Sequence, residues 1–99
     1  MSAEDYKNQG NQALKEGKDE EAIRLYTMGL QLEPTHHVLL SNRAAVFLKL
    51  SKFEQAFTDA SLCVEQQPAF SKGFLRKGQA LYGSSFRTPS FLGNRFMTP

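Results

Sequence analysis

The sequence has one cysteine, Cys63, no tryptophan and four prolines in 99 residues. A single thiol excludes an internal disulfide framework and suits a reducing compartment, so a cytosolic or nuclear location is expected. No stretch approaches the roughly 18 consecutive apolar residues that a membrane helix needs. The opening MSAEDYKNQGN places acids and amides where a secretory leader carries cations ahead of an apolar run. Strand-type alternation of apolar and polar residues is missing throughout, which points to an all-α chain. One sign of charge is missing locally. Residues 1–70 carry seven Lys or Arg against ten Asp or Glu, whereas residues 71–99 carry five cations and no acid. The modest net charge of +2 therefore hides a basic C-terminal third.

Reactive constellations are also wanting. No Ser–His–Asp set, paired carboxylates or phosphate-cradling glycine loop can be assembled from the spacing, so no enzymatic activity and no cofactor are expected. His36 and His37 are sequence neighbours and would diverge by about 100° on a helix. With a single Cys they complete no metal set, and they are expected to start a helix. Cys63 lies one repeat after Gly29, at a small packing position, and is expected to be a buried, inert thiol.

What the chain does have is repetition. Displaced by 34 residues it aligns with itself: Tyr6 meets Leu40 and Phe74, Gly10 meets Ala44 and Gly78, and Pro34 meets Pro68. A large residue, a small one four later, then Ala and Pro at fixed offsets is the pattern of stacked helix hairpins. The small residues Gly10, Ala44 and Gly78 let one helix approach its partner closely, as Ala22 and Ala56 do from the other side. Pro34 and Pro68 end the second helix of each pair.

The local signals agree. Ser2 and Asp5 form a capping box for the first helix, Gly17 closes it, and Asp19 is expected to cap the second. Thr35 is expected to cap the third helix, Ser51-Lys52 forms the next turn, and a fifth helix is expected over about 71–82. After Tyr82 the pattern fails, for GSSFRTPSFLGNRFMTP offers Pro89, two glycines (Gly83 and Gly93) and no acid where a sixth helix would begin. The expected organisation is a repeat domain over 1–82, with units at about 3–36, 37–70 and a partial 71–82, followed by an irregular tail over 83–99. Such a shortened third repeat leaves the fifth helix uncovered, unless Phe86, Phe91, Leu92 and Phe96 fold back over it. An uncovered helix favours weak self-association, fraying and marginal stability.

The first helices of successive hairpins line one concave surface in such arrays. Lys7 and Asn11 share a face of the first, and Lys72 and Arg76 share a face of the fifth. Asn42 occupies on the third helix the repeat position of Arg76. Cations and amide donors converging on one groove suit carboxylates. Arg43 and Lys77 point elsewhere, as neighbours on a helix do, and are expected to make surface or packing contacts.

The stretches YKNQGNQAL, SNRAAVF and SKGFLRKGQAL resemble the dicarboxylate-clamp tetratricopeptide domains of heat-shock co-chaperones, the Hsp-organising type in particular. The resemblance covers roughly residues 1–82. It implies a non-enzymatic adaptor that grips the Glu-Glu-Val-Asp tails of seventy- and ninety-kilodalton chaperones. Lys7, Asn11, Asn42, Lys72 and Arg76 then hold the terminal carboxylate and final Asp. Leu14, Ala45, Phe47, Leu48 and Gln79 are expected to line the pocket for the preceding apolar residue. The competing readings are a truncated, marginally folded product with impaired chaperone binding, a general repeat scaffold for protein–protein contacts and, from charge alone, RNA binding by the basic C-terminal third through Phe86, Arg87, Arg95 and Phe96. Five cations over 29 residues form no continuous run, which counts against RNA binding.

Overall fold

The computed structural model describes residues 1–87, and among them every regular element is helical. Five helices follow in order: α1 (Ala3–Lys15), α2 (Asp19–Leu32), α3 (His37–Lys49), α4 (Phe53–Gln66) and α5 (Ser71–Arg87). The helices α1 and α2 form one hairpin and α3 and α4 the next; α5 then packs on both α3 and α4. This is the expected all-α repeat.

Helix ends show why the sequence folds in these pieces. Ser2 accepts the Asp5 backbone N–H at 3.1 Å while Asp5 accepts the Ser2 N–H at 3.0 Å, closing the capping box. Gly17, at φ +78°, turns the chain out of α1. A β-carbon there would meet nothing within 4 Å, so its need is conformational and not spatial. One repeat later Ser51 takes the same left-handed turn at φ +60°. Pro34 and Pro68 follow the C-caps Glu33 and Gln67, whose extended backbones are what a following proline imposes.

Two caps differ from expectation. Helix α2 is capped by Lys18, whose carbonyl accepts the Ala22 N–H, and Asp19 lies inside the first turn. The Asp19 carboxylate instead reaches Lys49 Nζ at 2.9 Å, tying the start of α2 to the end of α3. It still faces the positive end of the helix dipole, with Glu20 and Glu21. Helix α3 is capped by His36 and not Thr35: His36 Nδ1 accepts the Leu39 N–H at 3.2 Å. An imidazole nitrogen can fill the role usually given to a hydroxyl, which fixes Nδ1 as the unprotonated ring nitrogen.

The core lies between the hairpins and centres on Tyr26, Leu39, Leu40 and Val46, each fully buried or nearly so. Close approach is real where it was expected in the first hairpin. A β-carbon on Gly10 would lie 2.4 Å from the Tyr26 ring. Ala22, Ala44 and Ala56 are all buried. Cys63 is buried with its Sγ 3.3 Å from the His37 carbonyl, and burial pushes its thiol pKa up, as an inert packing thiol requires. Arg43 and Lys77 make packing contacts, each over an aromatic ring: Arg43 over Phe47 and Lys77 over Phe57.

The third unit departs from the sequence reading. Helix α5 continues to Arg87, so 83–87 is helical and not tail. Gly83 and Ser84 are weak helix formers, which is why the sequence pattern breaks off at Tyr82. The ring of Phe53 on α4 lies so close to Gly83 that any β-carbon there would collide with it. Gly78 has the opposite fate. Unlike Gly10 and Ala44 it is exposed, and a β-carbon would meet nothing within 4 Å, because no described helix packs on that side. Around it Phe74 and Leu81 are each 53% exposed and Leu75 52%. The expected irregular segment over 88–99, and the fold-back of Phe91, Leu92 and Phe96, lie outside the described residues.

Candidate functional site

The candidate site is built on α1, α3 and α5. Asn11 and Asn42 meet directly: Asn42 Nδ2 donates to Asn11 Oδ1 at 3.2 Å, joining α1 to α3 across 31 positions of sequence. Asn11 Oδ1 also accepts from the hydroxyl of Tyr26 on α2 at 2.5 Å. Both acceptor lone pairs of that oxygen are thus used inside the protein. What Asn11 has left to offer is its NH2 group.

Lys7 lies one turn before Asn11 on α1, half-buried, and its Nζ pairs with Glu4 at 2.7 Å. A carboxylate already satisfies this cation, and any incoming anion must share or displace it. On α5, Arg76 Nη1 reaches Gln79 Oε1 at 3.4 Å, a marginal contact. Its Nε is buried and has no hydrogen-bond partner. An unpaired donor on a permanently charged guanidinium is uncommon in a folded protein and calls for an acceptor. Lys72 is exposed and makes no ion pair among the described residues. The side chains of this set present N–H donors, and among the described residues the cations meet no acid apart from Glu4.

The apolar residues divide. Leu14 and Ala45 stand three positions after Asn11 and Asn42, on the same helix faces, and are half-buried. Gln79 stands likewise three after Arg76, and Leu48 is the repeat equivalent of Leu14. Phe47 does not share this surface. Five residues from Asn42, it is rotated by about 140°. It lines shallow grooves toward α2 and α4 instead, with Ile23 and Gln55 and beside Arg43. Phe47 is therefore removed from the expected pocket.

Sequence reasoning missed Tyr26 and Glu4. The signal for Tyr26 was a phenol facing Gly10 where the second repeat has Ala60; that for Glu4 was its spacing of three from Lys7. Among the described residues no three His, Cys, Asp or Glu side chains are grouped to hold a metal ion. No described helix is long and apolar enough to cross a membrane.

Comparison with known proteins gives this arrangement its class. No family model matches the chain. Among solved structures, the second TPR of Spaghetti (RPAP3) bound to the HSP90 peptide SRMEEVD superposes with a TM-score of 0.83 at 35% identity, over 87% of this chain and 80% of that one. The second TPR domain of human RPAP3 in complex with the HSP70 peptide SGPTIEEVD gives 0.77 at 36% identity, over 82% and 68%. The chain belongs to the tetratricopeptide-repeat (TPR) domains. Among curated proteins it is 42% identical over 82 residues to the STIP1 homolog of Dictyostelium discoideum and 42% over 84 residues to heat shock protein STI1 of Saccharomyces cerevisiae. The matches cover 83% and 84% of this chain but only 14% of either relative's length. It corresponds in length to one TPR domain, a small part of either curated relative.

Proposed function

We propose that this TPR chain is a non-enzymatic adaptor that binds the acidic C-terminal tails of cytosolic seventy- and ninety-kilodalton heat-shock chaperones. Lys7, Asn11, Asn42, Lys72 and Arg76 receive the terminal carboxylate and the final Asp side chain. The observation that carries this reading is the state of the donors. Asn11 has its oxygen tied up and its NH2 left over, and among the described residues the Arg76 guanidinium makes only a marginal 3.4 Å contact, to Gln79. A carboxylate is the complement of such a set, because it accepts hydrogen bonds only. Two solved relatives are bound to peptides ending in Glu-Glu-Val-Asp, which supplies two carboxylates on its last residue.

The energetics suffice. Hydrogen bonds to charged groups contribute about 1.5–3 kcal/mol each. A micromolar complex needs about 8 kcal/mol in all. Three or four such contacts supply about 4.5–12 kcal/mol gross, and apolar contacts from Leu14, Ala45 and Leu48 to the Val add to this against the cost of association. The test is calorimetric titration with a peptide ending in Glu-Glu-Val-Asp. Arg76→Ala and Lys7→Ala are each expected to weaken binding severalfold while leaving the helical circular dichroism unchanged. Unaltered affinity in both variants would refute the assignment.

A further inference from the structure

We infer that Tyr26 is a positioning residue for the carboxylate site: its buried hydroxyl holds the Asn11 side chain with oxygen inward and NH2 toward the ligand. This rests on the clamp reading above. Tyr26 comes from α2, which contributes no residue to the clamp, and it is fully buried. Its ring fills the space that Gly10 leaves open on α1, one residue before Asn11. The phenol therefore reaches Asn11 from beneath, through the helix interface.

The physical need is orientation. An Asn amide turned over by 180° occupies the same volume with donor and acceptor exchanged, and only hydrogen bonds choose between the two. Here Asn11 Oδ1 accepts from Tyr26 and from Asn42 Nδ2. Turning Asn11 alone would set its NH2 against that of Asn42. Turning both amides together would restore the bond between them, so the pair by itself does not settle the matter. Tyr26 does. In the doubly turned state the phenol oxygen could accept from Asn11, but the phenol proton would be buried with nothing to accept it. Burial raises the phenol pKa above 10, so that proton is present at every pH near neutral. The hydroxyl thus acts as an obligatory donor that selects the state with NH2 available. In the other state an amide oxygen would face the incoming carboxylate and repel it.

The test is Tyr26→Phe, measured with a Glu-Glu-Val-Asp peptide and with the same peptide amidated at its C-terminus. The phenylalanine ring still fills the space beside Gly10, so the melting temperature is expected to move little. Affinity for the acid is expected to fall about three- to tenfold, tenfold being about 1.4 kcal/mol, and the acid-to-amide ratio to fall with it. In an Asn11→Ala background the same substitution is expected to change affinity less than twofold, since there is no amide left to orient. A Tyr26→Phe variant that keeps the wild-type ratio, or loses equally in both backgrounds, overturns the role of Tyr26 while leaving the clamp intact. Wild-type protein that binds acid and amide alike overturns the clamp itself, and the inference with it. A second readout needs no substitution. The Asn11 side-chain NH2 resonances are expected to shift on adding the acid peptide and to stay in place with the amide; no shift with the acid overturns the inference.

Discussion

The guanidinium of Arg43 grips the carboxylate of Asp59 through two hydrogen bonds of 2.7 and 2.8 Å, and Asp59 is only 2% exposed. Arg43 also donates to Thr27 Oγ1 at 3.0 Å, so one side chain of α3 is tied to α4 and to α2. Arg43 follows Asn42 directly. The bonds that fix the rotation of α3 on one side therefore set where Asn42 points on the other.

Asp59→Ala is expected to destabilise the fold by about 3 kcal/mol, the lower end for breaking a buried ion pair, because the Arg43 side chain keeps 22% of its surface exposed. Arg43 and Asp59 should be strongly coupled. In a double-mutant cycle by urea unfolding, the second substitution is expected to cost far less than the first. Additive losses would mean that the two side chains contribute separately.

Gly10 and Gly17 should fail for different reasons. Gly17→Ala adds a methyl group in open space at φ +78° and is expected to cost about 1 kcal/mol, the ordinary penalty of a left-handed non-glycine residue. Gly10→Ala drives a methyl group into the Tyr26 ring and is expected to cost about 1–3 kcal/mol. Only the Gly10 variant should also weaken the peptide, since the displaced ring carries the hydroxyl bound to Asn11. Thermal melts and a peptide titration on both variants separate the two effects.

Much of this was legible beforehand. The 34-residue period located all five helices, and the small-residue positions in the first two hairpins are buried as that period requires. What escaped was what a period cannot carry. Whether Asp19 caps or pairs depends on Lys49 arriving from another helix. The close packing of Gly83 on the Phe53 ring of α4 is likewise a contact between helices. Gly78 looks like Gly10 in sequence but lacks a described partner helix. Phe47 turns toward α2 and α4, because five residues along a helix rotate it by about 140° from Asn42. The candidate donors stood out in the sequence as a set, whereas the hydrogen bond from Tyr26 to Asn11 has no signature in spacing.

The acid side of the stability profile should show the capping box. Bonds from the Ser2 backbone and hydroxyl hold the Asp5 carboxyl below its usual 3.8. A folded-state pKa below the unfolded one stabilises the fold above the unfolded value, and that contribution is lost as pH falls through the folded one. Glu21, held down by its bonds from Arg24, and Glu16, held down by Gln12 and Lys18, act in the same direction. Stability should therefore decline on acidification below the ordinary carboxylate range. Asp5→Asn is expected to flatten part of that decline in urea melts taken at successive pH values.

Glu4 competes with the ligand for Lys7, at 2.7 Å. Glu4→Gln is expected to raise peptide affinity about two- to threefold at low salt, the scale of an exposed ion pair, and less as salt screens the charges. A loss of affinity would instead make the Glu4 contact part of what holds Lys7 in place.

The central claim is that the donors on α1, α3 and α5 recognise a C-terminal carboxylate. The most direct measurement compares two peptides that differ in one group: Glu-Glu-Val-Asp ending as the free acid, and the same sequence ending as the amide. The clamp predicts that the acid binds at least tenfold more tightly, about 1.4 kcal/mol. Equal affinity for the two would contradict it.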